Sequence, residues 1–104
     1  MEKVTTAWRH SLPFVVVRGE RLVAFARVVT DFACFAYLAD VFVMPDARGQ
    51  GVATRLIAAI VAEPQLKDLR RFLLATRDAH ALYARHGFTP LGEPQRFMER
   101  RPEQ

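Results

Sequence analysis

The chain predicts an α/β (α+β) fold: a mixed central sheet in which an antiparallel meander leads into a βαβ crossover around one central helix. Three observations carry that expectation. Residues 14–43 hold three stretches rich in β-branched and aromatic side chains, broken by turn signals. Over 50–62, Val52, Ala53, Leu56, Ile57, Ile60 and Val61 recur at helical spacing, a face that must lie on a sheet. Arg71-Phe-Leu-Leu-Ala-Thr76 is then almost unbroken in apolarity, which suits a parallel strand covered on both faces.

Taken in order, Val4, Trp8 and Leu12 stand four residues apart and predict a short helix over 2–11, ended by Pro13. Phe14-Val-Val-Val17 is a strand, Arg18-Gly19-Glu20 a tight turn, and 22–29 the second arm of a hairpin. A loop from Asp31 precedes a third strand over 34–43, with Cys34 as a packed strand residue. Pro64 stops the central helix. The strand over 71–76 closes a right-handed crossover. Asp78 is expected to cap a helix over 79–86, and Gly87 to end it. Residues 88–91 and 96–99 are further strand candidates, separated by Gly92 and Pro94.

At 104 residues the chain is expected to be a single domain over 1–104. Its hydrophobic share of 51% and its eight phenylalanines fit a globular core, not disorder. The single cysteine excludes an internal disulfide and suits a reducing cytoplasm. No apolar run reaches membrane-spanning length, and the start, with Glu2, Lys3, Thr5 and Thr6, lacks a signal-peptide pattern. The net charge of +4 is spread over scattered arginines, paired only at Arg70-Arg71 and Arg100-Arg101, so nucleic acid is not the expected partner. The three histidines and Cys34 have no metal-ligand spacing, and no metal is expected. His86 sits where a helix C-terminus favours a cation, and His10 is expected at the surface.

The stretch Val41-Phe-Val-Met-Pro-Asp-Ala-Arg-Gly-Gln-Gly-Val-Ala-Thr-Arg-Leu56 reads as strand, turn, glycine loop and helix start. Gly49 and Gly51 open the backbone, and the first amides of the helix have no partner within it. That combination binds anions, most often phosphate. A P-loop would need Gly-Lys-Ser/Thr where Val52 and Ala53 stand, and a dinucleotide fingerprint would need a third glycine at Thr54. A glycine turn before an ordinary helix is the bland alternative.

Arg48-Gly-Gln-Gly51-Val-Ala53 resembles the Arg/Gln-x-x-Gly-x-Gly/Ala motif of the GCN5-related N-acetyltransferases (GNAT). Farther along, Ala81-Leu-Tyr83-Ala-Arg-His-Gly87-Phe88 is similar to the Leu-Tyr-x-x-x-Gly-Phe segment that closes that fold. The resemblance spans roughly 14–99. The family's fold opens with a strand and two helices ahead of the hairpin, where this chain has about a dozen residues, so the first strand and helix are expected to be missing.

This resemblance implies an acetyl-CoA-dependent N-acetyltransferase acting on a primary amine of a small molecule or peptide, by direct attack in a ternary complex. Acetyl-CoA is the implied co-substrate. Val41, Phe42 and Val43 would lie along its pantetheine arm, and Arg48, Gly49, Gln50, Gly51, Val52 and Ala53 would hold its pyrophosphate. Arg48 is otherwise a solvated loop arginine. Tyr83 matches the tyrosine that faces the coenzyme sulfur; its other reading is a core tyrosine. Asp40, a carboxylate within an apolar strand, is either the base or the ion-pair partner of Arg27 on the neighbouring strand. The shortened front end keeps a second reading open: a non-catalytic coenzyme A-binding or assembly module. An exposed edge at 14–17 favours a homodimer.

Overall fold

The computed structural model describes residues 2–102, with side chains from Thr5 onward, so the expected place of Val4 on its helix lies outside the described side chains. The elements run α1 (Glu2–Arg9), β1 (Leu12–Arg18), β2 (Arg21–Thr30), β3 (Phe35–Val43), α2 (Val52–Ala62), β4 (Arg71–Leu74) and α3 (His80–Ala84). The sheet has the order β1-β2-β3-β4, antiparallel up to β3 and parallel between β3 and β4. The chain passes from β3 to β4 through α2, because parallel neighbours need a crossover.

The helix covers one face. Leu56, Ile57 and Ile60 of α2 are fully buried, together with Val52 at its start. They meet Ala24, Ala26 and Val28 of β2 and Ala36 and Leu38 of β3. Small alanines on the central strands leave room for the branched side chains of the helix. Each such leucine or isoleucine contributes about 1.5–3 kcal/mol through burial. Leu12, Phe14 and Val16 extend the same face onto β1.

Several boundaries differ from expectation. The first helix ends at Arg9, and Pro13 is inside β1, level with Arg27. β1 is an outer strand, where a missing backbone N–H is tolerated. Cys34 is exposed and precedes β3; it does not pack within it. The central helix begins at Val52, not at residue 50, because Gly51 takes the left-handed conformation (φ 75°). β4 is parallel as expected, but it is short, outermost and only half-buried.

The Asp78 cap is not formed. α3 starts without a side-chain cap, and the Thr76 hydroxyl accepts from the Ala79 amide at 3.1 Å instead. At the other end Gly87 has φ 93° and the Phe88 amide returns to the Tyr83 carbonyl, a glycine-ended helix. Residues 88–91 and 96–99 are not strands. Pro90 and Pro94 withdraw amides, and Phe88 turns inward onto Phe72 and Tyr83 with ring centroids 5.4 and 5.9 Å apart.

Candidate active site

β3 pairs with β4 only from Phe35 to Leu38. Beyond Leu38 the two strands part, and the β4-facing edge of Ala39–Val43 has no strand against it. The gap is a cleft of about 720 Å³ between β3 on one side and Thr76, Leu82 and Tyr83 on the other. At the same point the pairing of β3 with β2 slips, since Val28 faces Leu38 but Arg27 faces Asp40, leaving Ala39 as an extra residue. That bulge reverses the side-chain alternation. Ala36 and Leu38 are buried before it, and Val41 and Val43 pack on the core after it.

Without the bulge, Asp40 would point at the core. With it, Asp40 stands on the opposite face, its side chain 54% exposed, and accepts from Arg27 Nε at 2.8 Å. Arg27 also donates through Nη1 to the Ser11 hydroxyl at 3.0 Å. The carboxylate is therefore paired and not buried, so the desolvation cost expected from the sequence does not arise.

At the wide end of the cleft the chain turns through a 3-10 segment, Pro45–Ala47, into the glycine loop. The amides of residues 49–54 donate to no group among the described residues; the first to do so is that of Arg55, to the Gly51 carbonyl. Gly49 (φ 76°) and Gly51 (φ 75°) are both left-handed, and a Cβ on either would point into open space. Glycine is thus required by conformation, and the ground in front of the loop is clear. A small hollow of about 200 Å³ lies there, lined by Arg48, Gly49, Gly51, Ala53 and Thr54 among others. Open amides at a helix start form an anion cradle.

Arg48 is neither loose nor simply solvated. Its Nε donates to the Val43 carbonyl at 3.1 Å and its guanidinium lies over the Phe42 ring at 5.6 Å, so the loop is tied to the end of β3 while its terminal nitrogens bond to none of the described residues. The Gln50 side chain is spent within the protein: it accepts from Arg18 Nη1 at 2.7 Å and donates to the Asp46 carbonyl at 3.1 Å. Only its backbone is left for a ligand. The Val52 side chain is likewise in the core, and Ala53 lines both hollows.

Two supports were not found from the sequence. Arg18 grips Gln50, and Arg21 pairs with Asp46; that bond holds the Asp46 carboxyl below the usual carboxylate range. Both arginines lie at the β1–β2 turn, distant in sequence from the loop they brace, and no local pattern marks them.

Tyr83 is half-buried beside Phe88 and lines the cleft, with no hydrogen bond from its hydroxyl to the described residues. Burial pushes its phenol up from the ordinary value, so it stays protonated near neutrality. Asp78, expected as a cap, lines the cleft instead. Nε2 of His86 is buried without a partner among the described residues. Among the described residues no group of three or more His, Cys, Asp or Glu is arranged to hold a metal ion, and no helix is long and apolar enough to cross a membrane.

The sequence model of the Acetyltransferase (GNAT) family matches residues 1–88. A crystal structure from Xanthomonas campestris pv. campestris, assigned to GNAT-family acetyltransferases, is 54% identical with a TM-score of 0.93; the match covers 97% of this chain and 71% of that one. A GNAT-family protein of Streptococcus pneumoniae TIGR4 has the same fold at 21% identity and a TM-score of 0.78, over 100% of this chain and 79% of that one. A Clostridium acetobutylicum structure described as an acetyltransferase with acetyl-CoA superposes at a TM-score of 0.69 and 18% identity, over 96% of this chain and 70% of that one. No curated protein matches. With the divided strands, the open glycine loop and these likenesses together, the chain belongs to the GNAT acetyltransferase family.

Proposed function

We propose that the chain, as one domain over 1–104, is an acetyl-CoA-dependent N-acetyltransferase that acetylates a primary amine by direct attack in a ternary complex. The observation that carries this reading is the row of unpartnered amides over residues 49–54, at the mouth of a cleft whose far wall holds an unbonded tyrosine hydroxyl.

When bound, acetyl-CoA supplies the activated acetyl thioester. The amides of Gly49 to Thr54 and the free end of Arg48 hold its pyrophosphate. The backbone edge of Val41, Phe42 and Val43 holds the pantetheine arm, and an amide of that edge faces the carbonyl oxygen as charge builds there. The Tyr83 hydroxyl gives its proton to the departing thiolate. Asp40 takes the proton lost by the amine on the oxygen that Arg27 leaves open. The proposed compartment is the cytoplasm, and the proposed assembly is a homodimer through the unpaired outer edge of β1, where Val15 and Val17 are exposed.

The Arg27–Asp40 pair also favours a second reading, a non-catalytic coenzyme A-binding or assembly module, because it already satisfies half of the carboxylate. Calorimetric titration with acetyl-CoA, repeated on Gly51→Glu, tests what the two readings share. The change strains a left-handed position and sets a carboxylate before the pyrophosphate; affinity is expected to fall by about two orders of magnitude. Wild-type protein that does not bind acetyl-CoA would end both readings. Release of free thiol with a panel of amines then separates them: turnover supports the transferase, and binding without turnover supports the module.

A further inference from the structure

Behind the cleft, across the backbone of Asp40–Phe42, lies a second hollow of about 540 Å³. It shares Asp40, Val41 and Phe42 with the cleft and opens on the sheet face that α2 does not cover. Its wall is aromatic. Trp8 of α1 meets Phe25 of β2 edge-on at 6.2 Å, and Phe25 meets Phe42 of β3 at 5.7 Å. The three rings stay partly open: Trp8 is 40% and Phe42 38% exposed. Phe25 and Phe42 are direct cross-strand neighbours, two register positions from the pair Arg27 and Asp40 and therefore on the same face of the sheet.

The charges at this step are unequal. Arg27 is spent, with Nε on Asp40 and Nη1 on Ser11, and its side chain is only 20% exposed. Asp40 has one oxygen on Arg27, while Oδ1 has no partner among the described residues. The hollow therefore presents ring faces and edges beside one open carboxylate oxygen. Rings reward a flat apolar body, and a carboxylate rewards a cation and repels an anion. Its volume is in the range of small-molecule sites.

Resting on the transferase reading above, we propose that the acceptor is a primary alkylamine bearing an aromatic ring, the ring against Trp8, Phe25 and Phe42 and the amino group at Asp40. An acceptor with a carboxylate next to its amine is disfavoured at the same place. The aliphatic amine of a lysine side chain fills the hollow poorly.

Trp8 is the only tryptophan, so its fluorescence reports on this hollow directly. The experiment titrates the acetyl-CoA-free protein, with coenzyme A added, with 2-phenylethylamine, hexylamine and Nα-acetyl-lysine, and measures kcat/KM for each by thiol release with acetyl-CoA. The expected result is a saturable fluorescence change with 2-phenylethylamine and a preference over hexylamine of about tenfold in kcat/KM. Trp8→Ala should erase that preference while acetyl-CoA affinity is kept. Phe25→Leu, on β2, gives the same reading without touching α1 or the strand and loop that hold the coenzyme. Turnover that favours hexylamine or Nα-acetyl-lysine, or an aromatic preference untouched by both variants, overturns the acceptor proposal and leaves the transferase standing. Absence of acetyl-CoA binding overturns the transferase reading and this proposal with it.

Discussion

Along β3, Ala36–Leu38 is paired on both sides, to β2 and to β4, whereas Asp40–Val43, beyond the bulge at Ala39, is paired to β2 alone. The first half buries Ala36 and Leu38 beneath α2. The second half keeps its inward valines on the core, turns Asp40 and Phe42 outward, and leaves one backbone edge facing a cleft. Apart from Asp40, composition does not separate the halves, for both mix small, aliphatic and aromatic residues. What separates them is one extra residue, Ala39, and the short reach of β4, which stops at Leu74. A strand becomes a site when it loses a neighbour on one side while staying held on the other.

That comparison is open to being broken. The largest effect should come from Leu38→Asp, which puts an unpaired carboxylate into the fully packed half. The cost is several kcal/mol, enough to unfold a domain of this size, and circular dichroism should show no cooperative melt. A folded Leu38→Asp with a near-normal melting temperature would mean that the two halves are not distinct. The next effect is catalytic. Tyr83→Phe removes the hydroxyl that faces the open half and should lower kcat for acetyl transfer by about a hundredfold. Acetyl-CoA affinity by calorimetry should stay level, and an unchanged kcat would remove Tyr83 from the chemistry.

A smaller effect tests how the closed half is launched. The Asp31 carboxylate accepts from the amides of Ala33, Cys34 and Phe35 at 2.9, 2.8 and 3.1 Å, immediately before β3. The amide of Cys34, then those of Ala33 and Phe35, holds the Asp31 carboxyl below the usual value. A depressed pKa means that the unfolded chain binds the proton first as pH falls. The stability from this turn is therefore present above the ordinary aspartate pKa and is lost as pH drops through the lowered one. Asp31→Asn should flatten that part of the stability–pH curve in denaturant titrations below about pH 4; an unaltered slope would show that the turn does not bear on β3. The smallest effect belongs to the open half. Asp40→Asn weakens an ion pair whose carboxylate is largely in solvent, and should cost under about 1 kcal/mol. A thermal melt more than a few degrees lower would mean that the outward face is structural after all.

Much of the fold was readable residue by residue. The periods of two and of 3.6 that mark β1, β2, β3 and α2 are local, and α2 shows its buried stripe in Leu56, Ile57 and Ile60. The glycine loop was readable as well, because Gly49 and Gly51 answer a backbone demand that few other residues meet. The two late strand candidates failed for a non-local reason. A strand exists only with a partner, and the outer edge of β4 receives none when Phe88 is drawn onto Phe72. The Asp78 cap failed because the helix starts one residue later, at His80 with Ala79 in the cap position, and the Thr76 hydroxyl takes the Ala79 amide. Asp40 was recognised as out of place in an apolar strand, but its direction depends on a one-residue slip against β2.

The amino-acid order by itself determined the meander, the crossover helix and the conformation of the loop at Gly49 and Gly51, since each depends on side-chain spacing or on the dihedral freedom of single residues. Tertiary structure alone decided that Ala39 bulges, that β4 ends where the cleft begins, that Arg18 and Arg21 brace the loop from the hairpin, and that Trp8, Phe25 and Phe42 share one hollow with Asp40. These are relations between segments far apart in the chain, set by which strand edges find partners, and no local pattern encodes them.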